Sequence, residues 1–295
     1  MSLLFRLISW LPFWLLYPAA SVVYFLLFHV SGYRKQVVKQ NLERAFPEKS
    51  AKEITHLRKK FYRQLSQVAL EIIKARRMTR EDFLERMPIR NPELLKQYSK
   101  DFTESVIILT IHQGNWEWML HGAVAGLGVP IAPVYKPLHN KAADKMIYDI
   151  RSQFGLRPLS VEESTRDIIK HRREFRVFVM VADQAPTRKE RGLWTQFMNQ
   201  EAKFYLGGEV LAKMTKFPVL FVRCHRKRPG FYEMEFLELA QAPYEKDSHL
   251  ILERYIETAE AAIRSEPESW LWSNRRWKRD RGTEEARETA EREAT

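Results

Sequence analysis

The chain has 295 residues, 45% of them hydrophobic and 29% charged, which suits one large or two small folded domains and excludes a disordered chain. Its net charge of +12 favours an anionic partner: nucleic acid, acidic phospholipid or a phosphorylated ligand. A single cysteine, Cys224, excludes an internal disulfide, and the apolar run before it places this thiol at the end of a packed strand.

Residues 7–30 are apolar and rich in aromatics, with His29 as the only ionisable group. As a helix these 24 residues extend roughly 36 Å at about 1.5 Å per residue, enough to cross a bilayer core of about 30 Å. Pro12 and Pro18 predict kinks, which keeps an interfacial or re-entrant helix open beside a spanning one. Trp10, Trp14 and Tyr17 suit an interface belt. Small residues at Ala19-Ala20-Ser21 resemble a cleavage site, but the apolar run continues past them, which argues against a cleaved signal peptide. Arg34, Lys35, Lys39 and Arg44 follow the segment and only Arg6 precedes it. That asymmetry predicts a cytoplasmic body.

From residue 33 to about 87 the pattern is helical, with a turn at Pro47-Glu48-Lys49-Ser50. Ser50 and Glu53 form a capping-box sequence for the second helix. Ile54, Leu57, Phe61, Leu65, Val68 and Ile72 make its apolar stripe. The opposite face carries Arg58, Lys59, Lys60, Arg63, Lys74, Arg76 and Arg77. It reads as a solvated helix surface or, beside an apolar anchor, as a contact for anionic headgroups.

Beyond Pro88 strands and helices alternate. Strands are predicted over 106–111, 129–135, 176–182, 219–224 and 232–237. Helices are predicted over 115–125, 142–154, 163–171, 208–215 and 250–264. This predicts an α/β fold with a central mixed sheet flanked by helices. After Lys278 the tail is charged and nearly free of apolar residues, as in a frayed helix or a disordered end.

Three strand ends carry chemistry. The first runs Ile107-Ile108-Leu109-Thr110-Ile111-His112-Gln113-Gly114-Asn115-Trp116-Glu117, an apolar strand that delivers a His to its edge with a Glu five residues on. A carboxylate on one ring nitrogen fixes the tautomer and leaves the other nitrogen as a base, and Gly114 permits the turn between them. The second end is Tyr135-Lys136-Pro137, with Asn140 and Arg151 after it. The third is Ala182-Asp183-Gln184. Each polar pair also reads as a cap or a turn, but together they predict a cleft at one sheet edge. Glu117 and His121 have metal-pair spacing, without the H-E-x-x-H pattern or further ligands. The sequence also lacks G-x-S-x-G, G-x-x-x-x-G-K-[ST] and G-x-G-x-x-G.

The sequence resembles the lipid A biosynthesis (late) acyltransferases, within the wider H-x4-D/E glycerolipid acyltransferases. The resemblance extends over nearly the whole chain: the N-terminal apolar segment, Asn41-Leu42 with Ala45-Phe46-Pro47, and His112-Gln113-Gly114-Asn115-Trp116-Glu117. It continues through Tyr135-Lys136-Pro137, Asn140, Arg151, Ala182-Asp183-Gln184, Trp194-Thr195-Gln196-Phe197 and Trp270-Leu271-Trp272. Phe197-Met198-Asn199 and Ser273-Asn274 depart from the family pattern. The resemblance implies transfer of an acyl chain from acyl carrier protein or acyl-CoA to a hydroxyl of a lipid A precursor, with no metal or organic cofactor. It implies His112 as general base and Glu117 as its orienting partner. Asn115, Tyr135, Lys136, Asn140, Arg151, Asp183 and Gln184 would contact substrate. The oxyanion would be met by Arg151 or by backbone N–H groups near Gly114. The implied setting is the inner membrane, with residues 1–32 as anchor, 33–278 as acyltransferase domain and 279–295 as tail. Two other readings stand beside it: acylation of another membrane amphiphile, and a non-catalytic basic protein binding a membrane surface or nucleic acid.

Overall fold

The computed structural model describes residues 3–137, 140–187 and 190–284; the part of the charged tail from residue 285 on lies outside them. The N-terminal apolar segment forms α1 (Leu3–Trp10) and α2 (Phe13–Phe25), and α2 runs on into a π-helical turn at Leu26–Val30. The chain breaks at Pro12, which sits at the N-cap of α2, where its missing N–H costs nothing. Pro18 is accommodated inside α2, so one of the two expected kinks is a helix boundary and the other is absorbed.

The run read as helical from 33 to 87 divides into three helices: α3 (Lys35–Ala45), α4 (Ala51–Lys74) and α5 (Arg80–Arg86). The capping box at the start of α4 is formed: Ser50 Oγ accepts from the Glu53 N–H, and the Glu53 carboxylate accepts from the Ser50 N–H at 2.8 Å. Thr79 and Asp82 cap α5 in the same way. A short α6 (Pro92–Tyr98) leads to the sheet.

In chain order the remaining elements are β1 (Val106–Thr110), α7 (Trp116–Leu127), β2 (Ile131–Tyr135), α8 (Lys141–Arg151), β3 (Leu159–Ser160), α9 (Val161–Lys170) and β4 (Val177–Val181). There follow β5 (Gly192–Phe197), β6 (Gln200–Tyr205), α10 (Gly207–Thr215), β7 (Val219–Arg228), β8 (Phe231–Ala240) and α11 (Leu250–Ser265). Six strands form one mixed sheet in the order β3-β2-β4-β1-β7-β8. Only β8 runs antiparallel to its neighbour; β1 is parallel to both β4 and β7. All five residues of β1 are buried, as expected of a central parallel strand with both faces covered.

The sheet separates two cores. Ile107 and Leu109 of β1 face the core built with α3, α4, α10 and α11, while Val106 and Ile108 face the one built with α5, α6 and α7. This is the two-residue period of a strand. β5 and β6 form a separate hairpin that sequence patterning does not reveal. Its two-residue turn is Met198-Asn199, with φ of 51° and 62°, the mirror-image geometry favoured in tight hairpins. The unusual Phe197-Met198-Asn199 run is therefore a turn. Asn199 donates to the Ala45 carbonyl and the Met198 N–H to Glu260, which ties the hairpin to α3 and α11.

Candidate active site

Thr110 of β1 is in register with Val181 of β4. Both strands end there, at the same edge, so the residues two positions further on are also neighbours. These are His112 and Asp183. The Asp183 Oδ1 lies 2.6 Å from His112 Nδ1, and its Oδ2 accepts from the His112 backbone N–H at 3.1 Å and from Trp270 Nε1 at 2.7 Å. Asp183 is almost wholly buried. Burial alone would raise its pKa, but the neighbouring His112 charge and these hydrogen bonds outweigh it and hold the carboxyl below its usual range. An ionised Asp183 only accepts, so Nδ1 carries a proton and Nε2 is the ring nitrogen left free of the carboxylate. Nε2 faces the Gln184 amide nitrogen at 3.4 Å.

Sequence spacing points to Glu117 as the carboxylate on this ring; the structure puts Asp183 there instead. Glu117 opens α7 and turns toward α8, where Arg151 grips it through Nε at 2.8 Å and Nη2 at 2.5 Å. Burial pushes the Glu117 carboxyl up, and the Arg151 charge and hydrogen bonds more than reverse this. The charges of Glu117 and His112 still interact, so the two pairs share one electrostatic field.

The turn that carries His112 is pinned from a second direction. His112 O accepts from the Leu271 N–H, and the Gly114 N–H donates to Ser269 O at 3.1 Å. Gln113 pairs with Trp270 as an isolated bridge. Segment 269–271 therefore acts as a short strand against the turn, and its Trp270 indole reaches Asp183. Asn41 of α3 in turn donates to the carbonyls of Trp272 and Asn274, both at 2.9 Å. Arg34 donates to Ser273 O at 2.7 Å. The Ser273-Asn274 departure thus meets α3 through backbone atoms, for which side-chain identity is secondary.

Gly114 has φ of +60°, and a Cβ there would lie 2.6 Å from Cys224 Sγ. Both facts require glycine. Cys224 itself is buried, and burial pushes its thiol up to about 12. A thiol held protonated in this way is a packing residue and not a nucleophile.

A cavity of about 730 Å³ opens at this edge. Its polar rim includes His112, Glu117, Tyr135, Lys136, Arg151 and Gln184, so three strand ends and α8 converge as expected. Its inner wall is apolar and lies between α7 and the sheet, with Ile108, Met119, Leu120, Val179, Met234 and Phe236. Three expected contact residues do not line the cavity: Asp183, which sits on the His112 ring, and two that stand elsewhere. Asn115 is fully buried: its Oδ1 caps α7 by accepting from the Trp118 N–H, and its Nδ2 donates to Glu71 at 3.0 Å. Asn140 is exposed and caps α8 through the N–H groups of Ala142 and Ala143. Neither lines the cavity. Asn115 still shapes the site, because it fixes the start of the helix that carries Glu117. His121 packs against Phe83 with both ring nitrogens against backbone carbonyls, and burial lowers the imidazole's pKa.

Two residues of this centre escape sequence reasoning. Trp270 bonds Asp183 from 87 positions away. Glu71 on α4 joins Asn115 to the Tyr232 hydroxyl, the Gly230 N–H and the Tyr17 hydroxyl of α2. The Trp270-Leu271-Trp272 run was a signal for the first. Glu71 lies within an apolar stripe, where a buried acid with four donors is not readable from spacing.

The family model for the bacterial lipid A biosynthesis acyltransferase matches residues 2–279. No curated protein matches the chain. With nearly its whole length matched, the chain belongs to that family, and is an acyltransferase.

Proposed function

We propose that this member of the lipid A acyltransferase family moves a fatty acyl chain from a thioester donor, acyl carrier protein or acyl-CoA, to a hydroxyl of a lipid A precursor. The observation that carries the reading is the His112–Asp183 pair at the mouth of an apolar cavity. Nε2 of His112 takes the proton of the acceptor hydroxyl as its oxygen attacks the thioester carbonyl. Asp183 holds the ring in the productive tautomer and stabilises the imidazolium that results. Collapse of the tetrahedral intermediate breaks the C–S bond, and the imidazolium returns the proton to the departing thiolate.

The intermediate's oxyanion needs a donor. The Gly114 N–H is already committed to Ser269, and Arg151 and the Gln184 amide are donors on the rim that suit it. Glu117 serves by holding Arg151 in place and by adding negative potential to the imidazolium. Lys136 is exposed at the rim and suits a phosphate or the acidic surface of a carrier protein. The apolar wall under α7 suits a hydrocarbon chain. Residues 33–278 act as the catalytic body, 1–32 as its attachment to the cytoplasmic face of the inner membrane, and 279–295 as a solvated tail.

The test is acyl transfer in vitro, with acyl carrier proteins of graded chain length and a tetra-acylated lipid A precursor. The reading expects a product one acyl chain heavier, absent with H112A. Lipid A of unchanged acyl number in a deletion strain would defeat the choice of acceptor.

A further inference from the structure

The N-terminal apolar segment is long enough to cross a membrane: Phe13–Val30 is an 18-residue stretch of mean hydropathy 1.7. Its packing says otherwise. Between Phe13 and Phe28 the segment lies antiparallel along α4. Trp10 meets Arg77, Phe13 meets Lys74, Tyr17 meets Glu71, Tyr24 meets Arg63, and Phe28 meets Arg58 and Tyr62. Leu16, Ala20 and Phe28 are buried at this contact, and the Tyr17 hydroxyl is tied to the buried Glu71 at 3.2 Å. A segment so held cannot cross a bilayer alone. It would take the stretch from Arg58 to Arg77 with it, including the exposed Lys59, Lys60 and Arg63. Charges carried to the bilayer centre are strongly disfavoured.

The outer face of the segment is apolar and uncovered. Leu7, Trp10, Trp14, Val22, Phe25 and Leu26 are exposed, with Trp10 at 63% and Trp14 at 72%. Water is a poor partner for such a continuous ridge. Cations border it: Arg77 lies 4.0 Å over the Trp10 ring and Arg63 5.6 Å over Tyr24, while Arg34 and Lys35 follow its C-terminal end. Apolar side chains below a row of cations match a leaflet, with acyl chains below anionic headgroups.

We propose that residues 3–30 lie in the plane of one anionic leaflet, below its headgroups, and do not span the bilayer. α4 then rests at headgroup level. Its Ile72 lines the cavity, so the helix that seats the anchor also forms part of the site wall. A lipid acceptor meets the rim from the same leaflet. This step deepens the membrane attachment proposed above and does not depend on which molecule is acylated.

The experiment uses the full chain with an epitope fused before Met1. In inverted membrane vesicles, added protease should remove the epitope, and in intact spheroplasts it should not. Cleavage only in spheroplasts places the N-terminus on the far side and overturns the proposal. A second arm measures co-sedimentation of purified protein with phosphatidylcholine vesicles, with and without phosphatidylglycerol. R63E/R77E should weaken binding to the anionic vesicles by about tenfold or more. Equal binding to both vesicles, unaffected by R63E/R77E, overturns the anionic-leaflet assignment. Neither arm reads acyl transfer, so a wrong acceptor leaves both results intact.

Discussion

Asp183 and Glu117 are buried carboxylates on either side of one cleft, with 2% and 4% exposure, and they do different work. Asp183 sits on the imidazole and accepts three hydrogen bonds, two from His112 and one from Trp270. Glu117 sits on a guanidinium and accepts two, both from Arg151. The first arrangement fixes a tautomer; the second neutralises and orients a cation at the rim. Nearness in sequence does not decide which acid serves the base. Strand order does: β4 is hydrogen-bonded to β1, so its end is beside His112, while the start of α7 points toward α8.

Substitutions break this comparison in graded steps. H112A removes the proposed base, and acyl transfer should fall about 10³–10⁴-fold while circular dichroism stays native. Near-normal turnover would remove His112 from the chemistry. D183N keeps the shape but offers an amide to Nδ1, which permits the wrong tautomer; kcat should fall by about 10²–10³ with KM little changed. E117Q leaves the imidazole seated and strips Arg151 of its counter-charge. The loss should be smaller, on the order of 10–10²-fold, and shared between KM and kcat. W270F removes one donor to Asp183 and should cost about three- to tenfold in kcat, an effect that D183N should absorb in the double variant.

The same carboxylates set a pH dependence of stability. Both have folded-state pKa values held below those of an unfolded chain. Their contribution is therefore present above about pH 4 and is lost as pH falls through their folded values. D183N and E117Q should each flatten the acid side of the stability curve below pH 5, as measured by urea unfolding at stepped pH. An unchanged slope in both would show that these groups titrate alike in folded and unfolded chains. Away from the charges, G114A tests the turn: positive φ costs an L-residue about 1–2 kcal/mol, and contact with Cys224 adds to it.

Much of this was legible in the chain. The strict apolar runs ending in His112, Tyr135 and Asp183 gave the strands, their common edge and the cleft, because a parallel strand is buried on both faces. The capping box at Ser50 and Glu53 fixed the start of α4. The β5–β6 hairpin was not legible: its burial is mixed and its turn, Met198-Asn199, lacks the usual glycine. Asn115 and Asn140 cap helices in the structure, and spacing does not separate that use from ligand contact because a polar residue at a helix start serves both with the same chemistry. The partner of Glu117, Arg151, is not legible either, because it lies 34 residues away and no local pattern marks that distance.

The most direct test of the account reads the ring itself. In ¹⁵N-histidine-labelled protein, His112 should show a protonated Nδ1 with a strongly downfield proton and an unprotonated Nε2. That signature should vanish in D183N and persist in E117Q. A proton on Nε2 in the wild type, or a signature lost in E117Q and kept in D183N, would contradict the assignment of Asp183 as the group that holds the base.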